Sequence, residues 1–361
     1  MQQRFLKVTL GILILVVLYR LIIILYINPA YDRKNPLHPE LIGMQQFSID
    51  PAVDTVIIGK NGTLIRITAH SFTDCSGNAL SGNITVFLRE FYTTRDIVLS
   101  GLTTTTNNDV LETGGMIYLN AQQDKRPVCV SQKHQLGIII PSAERKKGMM
   151  HYTGIMSRVN KNINWVRPEG LLDDTIWYKE QTGEWDQDEM KPEEAFKKGI
   201  LQRLGKPAGS DDTFFNEYRN GDFSSYGFNN KVNYIFETKK LGWINIARLA
   251  SQPDNKEASI AVRLRNKQPL NTVLVKLILP NQGEYLQAYK LDDGRYVFGK
   301  DLTDKIDLPL GAKGYLLAAC YYNHRLFYSM TEFRIKEHQI FNTELKETNA
   351  DELKKLLEDK F

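Results

Sequence analysis

The chain has 361 residues, with 46 Lys and Arg against 42 Asp and Glu and a formal charge of +4. Arg4, Lys7 and Arg20 lie in an N-terminal stretch without acids, so the remainder is within one charge of neutral, which excludes a nucleic-acid binder working through a global basic field. At this length a single small core is also excluded, and two domains are the expectation.

Residues 5–27, FLKVTLGILILVVLYRLIIILYI, form an apolar run of 23 residues. As a helix at about 1.5 Å per residue it spans roughly 34 Å, against a hydrocarbon core of roughly 30 Å. Arg20 lies near the far end, where its stem can carry the guanidinium toward the interface. A cleaved signal peptide is the rival, but its apolar core is usually about 7–15 residues and ends at a small-residue site, and Asn28-Pro29-Ala30-Tyr31 is a poor one. The expectation is an uncleaved anchor. With only residues 1–4 before it, the body is expected to be periplasmic, in a single-pass inner-membrane protein. Residues 28–44 contain Pro29, Pro36 and Pro39 and read as an extended spacer.

From residue 46 to 141 strand signals follow one another. Residues 55–58 and 63–69 are β-branched and apolar around an Asn61-Gly62 turn. Ile84, Val86 and Leu88 alternate with Thr85, Phe87 and Arg89, the period of a half-buried strand. Residues 97–99, 116–119, 128–130 and 136–140 read as further strands, and 149–166 as two more. The pattern indicates a β-sandwich.

Residues 168–230 differ in character, with 14 acidic and 7 basic residues. Within them 192–204 reads as a helix: Pro192 in the first turn, Glu193 and Glu194 at the positive end, and Phe196, Ile200 and Leu204 on one face. Strand patterning resumes at 232–236 and runs through 326–335, with Asp293-Gly294 and Asn323-His324 as tight turns. The end reads as a helix capped by Thr348, with Leu353, Leu356, Leu357 and Phe361 as its apolar stripe.

The fold class expected is therefore mainly β. Two β-sandwich-like domains stand behind one N-terminal transmembrane helix, with an α-containing insertion and a C-terminal helix. The boundaries are 5–27 for the anchor, 28–44 for the linker and 45–167 for the first sandwich with its connector. They continue as 168–230 for the insertion, 231–346 for the second sandwich and 347–361 for the terminal helix. Cys75, Cys129 and Cys320 make no metal-ligand spacing. In an oxidising compartment Cys75 and Cys129 could bridge; otherwise all three are isolated buried thiols.

Two stretches carry a family likeness: residues 62–121, GTLIRITAHSFTD to NNDVLETGGMIYLNA, and residues 239–249, KKLGWINIARL, followed by strands and the ETNADELKKLLE end. They resemble a family of uncharacterised cell-envelope proteins of the Bacteroidota. The first domain is also distantly similar to the β-sandwich module of netrin receptors and ankyrins. The resemblance implies a β fold, an envelope location and an interaction role, and it implies no activity. The chain departs from the family pattern at Thr68-Ala69-His70, where an Ile-Pro-Ala-like turn is usual. It departs again at Ile246-Ala247-Arg248, where Cys-Asp-Arg is usual.

No nucleophile elbow, phosphate loop, dinucleotide fingerprint or paired-His zinc motif occurs. No catalytic residue, metal or cofactor is expected, and a small-molecule ligand is not expected either. His38, His70, His134, His151, His324 and His338 read as solvated or turn residues. Glu112-Thr113-Gly114-Gly115 reads as a turn before a strand, its glycines allowing positive φ. Trp243 reads as a core plug rather than a sugar platform, and Asn245 as locally hydrogen-bonded. Asp186, Asp188 and Glu189 lack the glycine and spacing of a calcium loop. Trp177, Tyr178, Trp185, Phe214, Phe215 and Tyr218 are the candidate interaction residues, since aromatics dominate interface hot spots. Two functions follow. One is a membrane-anchored envelope adaptor that binds another envelope protein. The other is a carbohydrate- or peptidoglycan-directed binding protein or hydrolase.

Overall fold

The computed structural model describes residues 35–106, 109–142, 146, 148–156, 162–166, 232–250, 255–267, 270, 272–299 and 304–361. The chain divides into two compact units. The larger holds Leu37–Pro253 and Leu279–Leu286; the smaller holds Asp254–Ile278 and Gln287–Lys360.

The larger unit starts with β1 (Gln45–Ile49), β2 (Thr55–Ile58), β3 (Leu64–Ile67), β4 (Phe72–Asp74) and β5 (Ile84–Phe91). Helix α1 (Thr94–Leu99) follows, then β6 (Thr105–Thr106), β7 (Asp109–Gln123), β8 (Arg126–Val130) and β9 (Leu136–Ser142). β10 (Met150–Met156), β11 (Ile163–Val166), β12 (Val232–Thr238) and β13 (Gly242–Leu249) complete its long strands. One sheet runs β1-β5-β7-β13-β10-β11 and another runs β12-β9-β3-β2. Ile84, Val86 and Leu88 of β5 are buried, as their alternation requires. They share one core with Ile117 and Leu119 of β7, Ile244 and Ile246 of β13, Ile138 and Ile140 of β9, Ile65 and Ile67 of β3, and Phe236 of β12. The two inner faces thus meet as a sandwich. Buried Glu90 ties the Asn61-Gly62 turn to β5: it accepts from Asn61 N (2.8 Å), Thr63 N (3.0 Å) and Gln45 Nε2 (2.7 Å).

The smaller unit begins with β14 (Lys256–Leu264) and β15 (Leu274–Leu279). After β16 (Glu284–Gln287), whose first three residues belong to the larger unit, come β17 (Tyr289–Lys290), β18 (Tyr296–Val297), β19 (Lys305–Leu308), β20 (Lys313–Tyr322) and β21 (Arg325–Arg334). β22 (His338–Thr343), β23 (Lys346–Thr348) and helix α2 (Ala350–Lys360) end the chain. β14 pairs antiparallel with β18 and β19 and parallel with β22. β20 pairs with β15 and β21, and β21 with β23. Asn323 and His324, at φ 50° and 63°, make the two-residue turn between β20 and β21. α2 buries Leu353 and Leu357, and Lys360 Nζ reaches Glu332 Oε2 on β21 at 2.7 Å.

Several expectations are corrected. The apolar run 5–27 lies outside the described residues, and among the described residues no helix is long and apolar enough to cross a membrane. α1 and α2 have six and eleven residues, roughly 9 and 17 Å at 1.5 Å each, far short of roughly 30 Å. Among the described residues the chain is mainly β with two α-helices. The transmembrane helix, signal anchor, membrane partner, inner-membrane and periplasmic placement and envelope-adaptor role rested on that run and lose their support. The stretch 97–99, expected as a strand, is the end of α1. Thr93 Oγ1 accepts from Asp96 N and starts the helix, which overrides the short apolar run. The cap of α2 is Asn349, whose Oδ1 accepts from Glu352 N at 2.9 Å, while Thr348 ends β23 and donates to the Glu352 carboxylate. Cys75 and Cys129 form a disulfide, and Cys320 is free and buried. The helix expected over 192–204 lies outside the described residues.

Candidate functional site

Glu112 to Gly115 do not form a turn. They sit inside the fifteen-residue β7, opposite β13. Ile246 pairs with Gly115 and Ala247 with Thr113, so Gly114 is an extra residue, a β-bulge. Gly114 is dictated by space, and Gly115 by its φ of 147° together with a tight neighbour. A Cβ on Gly114 would lie 2.9 Å from Tyr234 Cε2, and one on Gly115 3.0 Å from Tyr92 Cδ1.

The bulge gathers a polar cluster. Thr113 Oγ1 donates to Asn245 Oδ1 (2.6 Å) and accepts from Gly115 N (3.1 Å). Buried Glu112 accepts from Arg248 Nε (2.6 Å) and from Lys146 Nζ (2.5 Å). Glu284 lies close enough to feel the charge of Glu112. Its carboxyl is pushed up to about 8, first by burial and then by that charge. Glu284 Oε2 and Asn245 Nδ2 are buried and have no hydrogen-bond partner among the described residues. Trp243 is 8% exposed, with its ring centroid 4.8 Å from Tyr118 and 5.6 Å from Phe91. The structure therefore places Glu112, Gly114, Gly115 and Asn245 around one bulge and Trp243 two residues away on β13. Arg248, Lys146 and Glu284 complete the cluster. His151, expected in solvent or a turn, is buried on β10 with its ring 4.9 Å from Phe236. Its imidazole is depressed to about 4 by burial and then by Lys240. Trp177, Tyr178, Trp185, Phe214, Phe215 and Tyr218, with Asp186, Asp188 and Glu189, lie outside the described residues.

A test of the cluster follows from Glu284. The folded chain keeps that proton to about pH 8, while an ordinary glutamate releases it near 4.5. The stability this group contributes is complete below pH 4.5 and drains as pH rises toward 8. Glu284→Gln should melt with wild type near pH 5 and at a higher temperature than wild type at pH 8.5. Coincident melting profiles across that range would show that the carboxylate is solvated or paired in the folded chain.

A second feature lies at the edge of the smaller unit. Ser259 N donates to the Glu337 carbonyl (2.7 Å) and Arg265 N to that of Thr343 (2.8 Å). In a parallel ladder this alternation turns the odd-numbered residues of β22 toward β14. The N–H and C=O groups of His338, Ile340 and Asn342 therefore face outward, away from β14. Their side chains are exposed as well, Ile340 by 57%. Alternate residues point to the core, where Phe341 meets Phe333 edge-on at 4.8 Å. Among the described residues β22 pairs with β14 alone. Three other outer strands of this unit are guarded. β19 exposes Lys305 and Asp307, β23 exposes Lys346 and Glu347, and β17 has two residues. The exposed positions of β22 hold no ordinarily charged residue, no proline and no bulge. No protein-family model, curated protein or solved structure matches the chain. The geometry thus supplies the functional argument. Among the described residues no group of three or more His, Cys, Asp or Glu could hold a metal ion. The polar atoms of the bulge are largely spent on one another. The β22 edge offers hydrogen bonds outward.

Proposed function

We propose that the chain is a protein-binding scaffold without catalytic activity, and that it takes an extended protein segment by strand addition along β22. The observation that supports this reading is the unguarded row of His338, Ile340 and Asn342 backbone groups beside an exposed isoleucine. In strand addition the backbone ladder supplies affinity and alternate side chains supply specificity. A segment with an apolar residue opposite Ile340 fits.

Ile340→Pro isolates the effect. The N–H it removes points outward, so the ladder to β14 stays intact. Random peptides should be panned on the full chain and counter-selected on Ile340→Pro. Enriched peptides should slow amide exchange at His338, Ile340 and Asn342, and the proline chain should bind them at least tenfold more weakly. Protection that falls elsewhere, or equal binding by the proline chain, overturns the proposal.

A further inference from the structure

We infer that the segment received by β22 is β22 of a second copy of this chain. This rests on the strand-addition reading and names its partner. The pattern around Ile340 is complementary to itself under a two-fold axis. Read outward, the exposed residues of the strand are His338, Ile340 and Asn342, with Lys336 two residues before it, across the bend at Glu337, and Glu344 just after it. An antiparallel pairing centred on Ile340 sets Ile340 against Ile340 of the second copy. It sets His338 against Asn342, and Lys336 at one end near Glu344 at the other. Both charges are exposed, and neither makes an ion pair among the described residues.

The backbone agrees with that register. In antiparallel pairs, opposed residues alternate between those that exchange both hydrogen bonds and those that exchange none. A two-fold through Ile340 opposes 340 with 340 and 338 with 342. All three residues point their N–H and C=O groups outward, so each falls on a bonding position. Shifting the register by one residue would oppose outward groups with inward ones and lose the ladder. The same operation makes the contact isologous, so it closes at two copies and does not extend into fibres. Arg265 Nε already holds Asn342 Oδ1 at 2.9 Å, and Gln339 bridges Arg334 O and Lys336 N. The Arg265 bond thus fixes Asn342 beside β14, and the Gln339 bonds close the bend at 334–339 that leads into the strand. A seam this short lies at the small end of specific interfaces, below about 1,200 Å². The dimer should therefore be weak and concentration-dependent.

Sedimentation equilibrium of the full chain over a wide concentration range tests this. Wild type should pass from monomer to dimer, and Ile340→Pro should remain monomeric with an unchanged circular dichroism spectrum. Lys336→Glu and Glu344→Lys should each weaken dimerisation about tenfold, because each makes two symmetric contacts repulsive. The double variant Lys336→Glu/Glu344→Lys should restore it. No concentration-dependent dimer, a dimer unaffected by Ile340→Pro, or a double variant no better than the single ones overturns self-pairing. A monomer whose His338, Ile340 and Asn342 amides exchange freely and whose panned peptides protect them sinks only the second-copy partner. A dilute monomer in which those amides are already protected sinks strand addition as well.

Discussion

Trp243→Ala should lower the stability of the larger unit by about 3–5 kcal/mol, the range for removing a large buried aromatic. In a unit of this size that corresponds to a melting temperature lower by roughly 10 °C. The expectation is local in origin. β13 lies between β7 and β10, so a hole at Trp243 opens both seams. The ring rests on Phe91 and Tyr118. Gly154 sits directly across on β10, and a Cβ there would come within 2.6 Å of the Trp243 Cβ. On the β10 side the space is therefore shaped around the indole, because a glycine is the residue opposite it there. Trp243→Phe keeps part of the aromatic contact and should lose well under half as much. A Trp243→Ala chain that melts with wild type would show that the ring contributes little packing, and a sugar- or peptide-binding surface would then be the better account of it.

Where one local rule decided the structure, the sequence revealed it. The alternation of Ile84, Val86 and Leu88 gave a strand, and Asn323-His324 gave a turn because two left-handed residues in succession suit a two-residue hairpin. Sequence and structure differ where a rule of longer range prevails. Glu112 and Arg248 meet 136 residues apart, and no local pattern links them. Without that partner strand, Thr113-Gly114-Gly115 looks like a turn rather than a bulge. Residues 97–99 were too few to show a period, and the Thr93 cap decided them. β22 is not legible in the sequence because its apolar neighbours Ile340 and Phe341 lie on opposite faces, one exposed and one against Phe333. Period-two reading seeks apolar residues on one face. An edge built to receive another strand breaks that pattern, so the feature that hid β22 is the one that makes it a candidate site.

Reducing the Cys75–Cys129 bond should cost about 4 kcal/mol. The cysteines are 54 residues apart, and the chain-entropy relation for a loop of that size gives roughly this value, within the 2–5 kcal/mol usual when a native disulfide is removed. The bond joins elements that are already neighbours. Cys129 pairs with Thr73 in the β4–β8 ladder, Cys75 follows β4, and the Cα atoms are 5.0 Å apart. β4 has only three residues and, among the described residues, pairs with β8 and with an isolated bridge at Ala79. Phe72 anchors the start of so short a strand in the core, but Thr73 and Asp74 are only half-buried, and the crosslink keeps that end on the sheet. Cys320 is the internal control. It is buried, and burial pushes its thiol up to about 11, which leaves almost no thiolate at neutral pH. Chain refolded in an oxidising glutathione buffer should therefore show no reactive thiol when native and one per chain in denaturant. After reduction in denaturant it should show three. Cys75→Ser/Cys129→Ser should melt at the lower temperature of the reduced chain and should not respond to reductant. Three thiols in unreduced, denatured material would sink the bond, and an unchanged melting temperature after reduction would show that β4 is held by its ladder alone.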